Sequence, residues 1–112
     1  MKIEARHEQG ITILTVIGRV TIGVGDVALR DAVGKALEAG AKNILVDVAS
    51  VKTIDSSGIG ELVSAYTTVT NRGGKLKLLH LPPKMEDILA VTQLITVFEV
   101  FDDEQEALKS FN

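Results

Sequence analysis

Hydrophobic and polar residues recur along the chain with two different periods, which predict strands and helices in alternation. The first residues alternate between apolar and charged side chains, as in a half-buried strand. A β-branched run after Gln9-Gly10 completes a predicted hairpin that ends at Gly18. A nearly continuous apolar run further on predicts a central strand covered by helices. The predicted strands comprise residues 3–8, 11–17, 44–48, 76–79 and 97–101.

Apolar residues at helical spacing predict one helix before the central strand in the sequence and another after it. Asp26 is the predicted N-cap of the first helix, and Gly40 stands where a left-handed C-cap residue is expected. The second helix is predicted to begin near Ser57. Its inward stripe is predicted to consist of Ile59, Leu62, Val63, Tyr66 and either Val69 or Thr70.

Two further helices complete the pattern. Pro83 suits the first turn of a helix that runs through Val91, and Asp103 with Glu106 resembles a capping box that opens the last helix. The element order is therefore ββαβαβαβα, which indicates an α/β fold with a mixed, mostly parallel sheet of four to five strands and about four helices. We find no repeat and no linker, so residues 1–112 are expected to form a single domain.

Composition narrows the possible functions. The sequence contains no cysteine, which excludes disulfides, thiol catalysis and thiolate metal sites and fits a reducing cytoplasm. The N-terminal residues do not resemble a signal peptide, and no apolar stretch approaches the ~18 residues of a membrane span, so no membrane insertion is expected. The net charge of −3 comes without a basic stripe, which argues against nucleic-acid binding.

No cofactor or metal is expected. The glycine-rich segment around Gly23-Val24-Gly25 lacks the lysine and hydroxyl residue of a P-loop, and a docking loop is the preferred interpretation. His7 and His80 lie far apart in sequence, without the spacing of a metal-binding pair.

The segment Asp55-Ser56-Ser57-Gly58 carries the most specific chemistry. It follows the buried central strand and opens a helix, at the edge of an α/β sheet where ligands and partners usually bind. The glycines at 58 and 60 leave the Ser57 hydroxyl uncrowded. A phosphoryl group on Ser57 would lie at a helix N-terminus, which favours anions. The predicted polar face of this helix comprises residues 57, 60, 61, 64, 68 and 71.

Two other interpretations of this segment stay open from the residues alone. Asp-Ser-Ser before a helix is also ordinary capping chemistry. A small hydrolase using Ser57 is the other alternative, although no base and no nucleophile elbow accompany this serine. Asp47 is expected to support the Ser57 loop through hydrogen bonds.

The segment Ile54-Asp55-Ser56-Ser57-Gly58-Ile59-Gly60-Glu61-Leu62, after the strand 44–48, resembles the signature of the STAS domain, as in bacterial anti-sigma factor antagonists. The resemblance covers essentially the whole chain. It implies a non-enzymatic protein in which Ser57 accepts phosphate. It also implies two partners. One is an anti-sigma factor that is a serine kinase, and binding to it frees a sigma factor; the other is a serine phosphatase that resets the switch. The contact face it implies consists of Thr21, Ile22, Gly23, Gly25, Asp55, Ser56, Gly58, Gly60, Glu61 and Ser64.

One segment departs from the family pattern. Many relatives carry Gly-Glu-(apolar)-Asp after the second strand, whereas this chain has Gly18-Arg19-Val20-Thr21. The departure bears on the partner more than on the fold. A scaffold or accessory subunit of a stress-signalling or transport assembly is therefore the alternative function, and self-association stays open.

Overall fold

The computed structural model describes residues 1–112 and contains five strands and four α-helices in the predicted order. A short 3-10 helix, Leu94–Thr96, precedes the last strand. The elements are β1 (Lys2–Glu8), β2 (Ile11–Val20), α1 (Gly25–Glu38), β3 (Asn43–Ile54), α2 (Ser56–Asn71), β4 (Lys75–Leu79), α3 (Pro83–Val91), β5 (Val100–Phe101) and α4 (Glu104–Lys109).

The five strands form one mixed sheet in the order β1-β2-β3-β4-β5. β1 and β2 are antiparallel, and every other pair is parallel. Gln9 and Gly10 have positive φ angles of 54° and 78°, which is the backbone of a two-residue type I′ turn. This turn fixes the register of the hairpin, with Glu8 opposite Ile11. The predicted α/β class, mixed sheet and element order are confirmed.

Apolar side chains fill both faces of the sheet. A cluster of 18 buried residues lies between the sheet and helices α1, α2 and α3. A second cluster of seven lies on the other face, where α4 covers Ile13, Leu45 and Leu79. Lys77 is also buried on that face, at 5% exposure. Its Nζ donates to the main-chain oxygen of Ser110 at 2.9 Å and lies 2.8 Å from Glu99, so its charge is compensated.

Two strands are longer than predicted. Gly18, with φ 110°, does not end β2, because the strand continues through a register shift to Val20. β3 runs six residues beyond the predicted 44–48 run to Ile54, since β2 supplies main-chain partners as far as the pair Val20–Ile54. The carboxyl end of β3 therefore projects past β4, which pairs with β3 only as far as Asp47.

One predicted element needs correction, and an alternative left open in α2 is decided. The predicted strand 97–101 shortens to two residues, because Phe98 leaves the strand line and is buried against Tyr66, with ring centroids 5.4 Å apart. Val91 belongs to α3, as predicted, and is 84% exposed. Thr70 is exposed, so Val69 is the residue that completes the inward stripe of α2.

Helix boundaries also shift slightly. α1 begins at Gly25, so Asp26 is not its N-cap. Instead its Oδ1 accepts hydrogen bonds from the main-chain N–H groups of Gly23 and Val27. α2 begins at Ser56, one residue before the predicted start. The predicted signals at Gly40, with φ 95°, and at Asp103, which accepts from the Glu106 N–H, are confirmed.

Candidate functional site

Asp55 joins the two segments that form the candidate site. It is the N-cap of α2, where its Oδ1 accepts a hydrogen bond from the Gly58 main-chain N–H at 3.0 Å. Its Oδ2 accepts from the main-chain N–H of Ile22, also at 3.0 Å. One carboxylate therefore fixes the first turn of α2 to the loop between β2 and α1, at the projecting end of β3.

The same hydrogen bonds control the ionisation of Asp55. The main-chain N–H of Gly58, then that of Ile22, hold the pKa of the Asp55 carboxyl below its ordinary value of 3.8, and the N–H of Ser57 contributes in the same direction. The charged form is the one that bonds to both segments. We infer that the site keeps its shape as long as Asp55 is ionised.

We predict that acid weakens this junction and that Asp55→Asn removes the effect. Because the folded-state pKa lies below the ordinary value, the contribution of Asp55 to stability is present above pH 3.8 and is lost as the pH falls through the folded-state pKa. Urea unfolding between pH 5 and pH 2.5 should show a steeper loss for the natural chain than for Asp55→Asn. Identical pH profiles would contradict this role of Asp55.

Glycines 25 and 58 lie inside the site rather than on its surface. Both are buried. A Cβ at Gly58 would lie 2.2 Å from the carbonyl oxygen of Val20, and one at Gly25 would lie 2.1 Å from that of Arg19. These two glycines allow α2 and α1 to approach the end of β2. Because both are buried, neither glycine contributes to the contact face, contrary to the prediction. A glycine is needed at position 58 for the close approach to Val20, and not to leave space around the Ser57 hydroxyl.

The predicted polar face of α2 is open to solvent at its start. Ser56, Gly60 and Ser64 are exposed, and Ser57 in the first turn is half-buried. A Cβ added at Gly60 would meet no atom within 4 Å. Glu61 faces α1, where its Oε1 accepts a hydrogen bond from Arg30 Nη2 at 2.6 Å.

Exposed apolar side chains lie beside this polar face. Ile22 is 73% exposed and Val24 is 67% exposed, and both belong to the loop that Asp55 and Asp26 hold in place. Val27, in the first turn of α1, is 39% exposed. Sequence reasoning included Ile22 but did not single out Val24, Val27 or the cation Arg30. The sequence signal for Ile22 and Val24 was their position next to glycines, outside any predicted strand or helix.

Asp47 does not support the Ser57 loop, contrary to expectation. It lies in β3 eight residues before Asp55, where its Oδ1 accepts from the Ala49 N–H at 3.1 Å and lies 3.2 Å from Nδ1 of His80. No group of three or more His, Cys, Asp or Glu side chains is arranged to hold a metal ion. None of the helices combines the length and the apolar character that crossing a membrane requires.

Comparison with known proteins gives consistent matches over the whole length. The family model of the STAS domain matches residues 2–107. An anti-sigma F factor antagonist from Paenibacillus polymyxa is 23% identical over 109 residues, which cover 96% of this chain and 92% of that protein.

Solved structures show the same fold. A candidate anti-sigma factor antagonist from Thermotoga maritima superposes with a TM-score of 0.89 at 22% identity, covering 97% of this chain and 93% of the other. The phosphorylated form of the Bacillus cell fate determinant SpoIIAA superposes with a TM-score of 0.76 at 18% identity, covering 99% of this chain and all of the other.

Proposed function

The chain belongs to the STAS domain family, and we propose that it is an anti-sigma factor antagonist that phosphorylation of Ser57 switches off. In the unphosphorylated state it binds an anti-sigma factor that is also a serine kinase, and the sigma factor is released. A serine phosphatase restores the binding state. The match to an anti-sigma F factor antagonist along nearly the whole chain supports the partner class.

One observation carries the proposal. Ser57 lies half-buried in the first turn of α2, beside a loop that exposes Ile22 and Val24. Exposed apolar side chains next to a polar helix start are typical of a docking surface with a small apolar centre and a polar rim. The proposed contact face consists of the loop residues Thr21 to Val24, of which Thr21 is half-buried and the others are exposed, with Asp55, Ser56, Ser57, Gly60, Glu61 and Ser64.

The phosphorylation step needs only an acceptor from this chain. The Ser57 Oγ attacks the γ-phosphorus of ATP held by the kinase, the bond to the ADP oxygen breaks, and the hydroxyl proton passes to a base of the kinase. We propose no reaction catalysed by this chain itself. The usual base for a serine nucleophile is a histidine. Of the two histidines of this chain, His7 lies in β1 and His80 directly follows β4, where its ring contacts Asp47.

The added phosphate acts through charge. It brings about −1.5 to −2 charges at neutral pH into a turn that already carries the Asp55 carboxylate. Glu61 lies one helical turn further on, where Arg30 compensates its charge. A docked kinase surface must then either leave the phosphate unpaired in the interface or stay away, so the complex dissociates while the fold is kept.

Phosphopeptide mapping tests the assignment. The purified chain is incubated with each anti-sigma factor kinase of the source bacterium and Mg-ATP, and the phosphorylated residue is identified by mass spectrometry. We expect one phosphate, on Ser57, which Ser57→Ala abolishes. Ser56→Ala is the matched control, because Ser56 is the neighbouring and more exposed serine, and it should leave phosphorylation unchanged. Phosphate on Ser56 would overturn the assignment to Ser57, and phosphate on no residue with any kinase would overturn the switch and favour a constitutive scaffold.

A further inference from the structure

β1 is an edge strand with an unpaired side. It comprises seven residues, pairs only with β2, and is exposed along its length except at the half-buried Ile3. Edge strands in monomeric proteins are usually short or carry charges that hinder pairing. Here the charges alternate in sign along one face of the strand, in the order Lys2, Glu4, Arg6 and Glu8.

The hairpin register determines which main-chain groups of β1 are free. Glu8 lies opposite Ile11 across the two-residue turn, so these two residues exchange main-chain hydrogen bonds. The alternation of an antiparallel ladder then directs the even-numbered residues of β1 towards β2. The N–H and C=O groups of Ile3, Ala5 and His7 point to the open side.

We propose that β1 pairs with β1 of a second copy of this chain, antiparallel and with the two Ala5 residues on the twofold axis. In that register the free odd-numbered residues meet each other, with Ile3 opposite His7, and main-chain bonds form across the axis. The charged residues form the non-hydrogen-bonded pairs, in which side chains lie closest. Lys2 then lies opposite Glu8, and Glu4 opposite Arg6, so all four cross-strand pairs join opposite charges.

Charge also excludes the neighbouring registers. A shift of the axis by one residue towards the N-terminus places Lys2 opposite Arg6 and Glu4 opposite Glu4. A shift the other way places Glu4 opposite Glu8 and Arg6 opposite Arg6. Like charges directly opposite destabilise an antiparallel pair, whereas opposite charges stabilise it. The sequence of signs therefore selects the Ala5-centred register over the two neighbouring registers of the same main-chain parity.

The surface beneath β1 favours the same occupant. A groove of about 520 Å³ lies between β1 and α1. Its walls include Ile3, Ala5 and His7 from the inner face of β1 and alanines 28, 32 and 36 from α1. In the proposed dimer the inner face of the second β1 continues this wall across the axis. Two five-stranded sheets then join into one sheet of ten strands.

The proposed dimer does not use the contact face of Ser57. Neither β1 nor the groove beneath it contains a residue of that face. Failure of one proposal would therefore leave the other untouched, and the two can be tested in the same preparation.

Charge reversal at the ends of the register gives the sharpest test. Lys2 and Glu8 are suitable because their side chains are 68% and 50% exposed, so folding does not depend on them. Lys2→Glu alone places acidic residues opposite each other at both ends, and Glu8→Lys alone places basic residues there. Each variant should raise the dimer dissociation constant about tenfold in sedimentation equilibrium at low salt. An equimolar mixture of the two should restore dimerisation, because each variant then faces the opposite charge.

Cysteine cross-linking tests the position of the axis. The chain has no natural cysteine, so a single introduced thiol reports one contact. Ala5→Cys places two thiols opposite each other, with Cα atoms about 5.5 Å apart, within the range of a disulfide. His7→Cys is the matched control on the same face, because in this register its two copies lie about 13 Å apart along the strands. Mild oxidation should cross-link Ala5→Cys and not His7→Cys.

Three outcomes would overturn the proposal. The first is a monomer mass for the natural chain at low salt up to about 1 mM protein. The second is a mixture of the two charge variants that dimerises no better than either alone. The third is faster cross-linking through His7→Cys than through Ala5→Cys, which would place the axis elsewhere. If the natural chain is monomeric, the alternating charges would instead serve to hinder pairing of this edge strand with another chain.

Discussion

Gly58→Ala is expected to lower the free energy of unfolding by about 2–3 kcal/mol, although alanine is the better helix former. A Cβ at this position would lie 2.2 Å from the carbonyl oxygen of Val20, 2.7 Å from Cγ1 of Ile54 and 2.9 Å from Cγ1 of Val20. The two side-chain atoms have some freedom to move. The carbonyl oxygen has less freedom, because Val20 pairs with Ile54 of β3 and its oxygen accepts a hydrogen bond from the main-chain N–H of Asp55. The first turn of α2 must therefore move away from β2.

Gly60→Ala is the matched control, two residues further along the same helix. A Cβ there meets no atom within 4 Å, and the residue is exposed. Only the backbone effect remains, so this substitution should raise the free energy of unfolding by about 0.5–1 kcal/mol. Urea unfolding followed by circular dichroism measures both variants. Effects of opposite sign for two glycine-to-alanine changes in one helix would separate close packing from helix propensity.

The same pair of variants tests how the site is positioned. If Gly58→Ala displaces the start of α2, the hydrogen bond between Asp55 and the Gly58 N–H is disturbed with it. The NMR signals of Ser57 and Ile22 should then shift in Gly58→Ala and stay close to their natural positions in Gly60→Ala. A Gly58→Ala protein as stable as the natural chain would contradict the close approach of α2 to Val20.

The element order was predictable because each element carries its own local signal. The apolar run 44–48 reads as a buried strand on its own, and Asp103, Gly40 and Pro83 mark helix ends by capping chemistry that acts within one turn. Such signals need no knowledge of what lies across the fold. They fixed the α/β class, and they located the start of α2 to within one residue of Ser57.

Features that depend on contacts between residues far apart in the sequence were not predicted. Residues 49–54 are mostly polar or small and show no apolar run. They form a strand because the last residues of β2 lie alongside and pair with them. Lys77 reads as a solvent-facing residue in an alternating strand, yet α4 covers it and Ser110 accepts its hydrogen bond. In both cases a tertiary contact overrides the local pattern.

The candidate site shows the same division. Asp55 was recognisable as a helix cap, because that role involves Gly58 only three residues away. Its second bond, to Ile22, joins residues 33 positions apart and has no local sign. Gly58 was assigned to clearing space around Ser57, whereas its neighbour in the fold is the carbonyl group of Val20. That these residues belong to the site was predictable from the sequence, but the contacts they make with distant residues were not.

Ser57→Asp is expected to weaken binding of the anti-sigma factor kinase at least tenfold, and phosphorylation of Ser57 at least 100-fold. An aspartate in the first turn of a helix is favourable for the helix itself, so the fold should be unchanged. The loss arises in the interface, where the new charge adds to that of Asp55 and has to be desolvated. The phosphate has the larger effect because it carries about −1.5 to −2 charges rather than one. Isothermal titration calorimetry with the purified kinase measures both.

Ser56→Asp separates the position of the charge from its presence. It adds the same charge to the same turn, one residue earlier, on a side chain that is exposed rather than half-buried. A charge that stays in solvent is screened and need not be desolvated, so we expect a change in affinity of less than about threefold. Equal losses for Ser56→Asp and Ser57→Asp would mean that the negative charge of the turn as a whole opposes binding. A loss confined to Ser57 would place the switch at the half-buried hydroxyl beside Ile22 and Val24, because only there must a docking partner cover the charge.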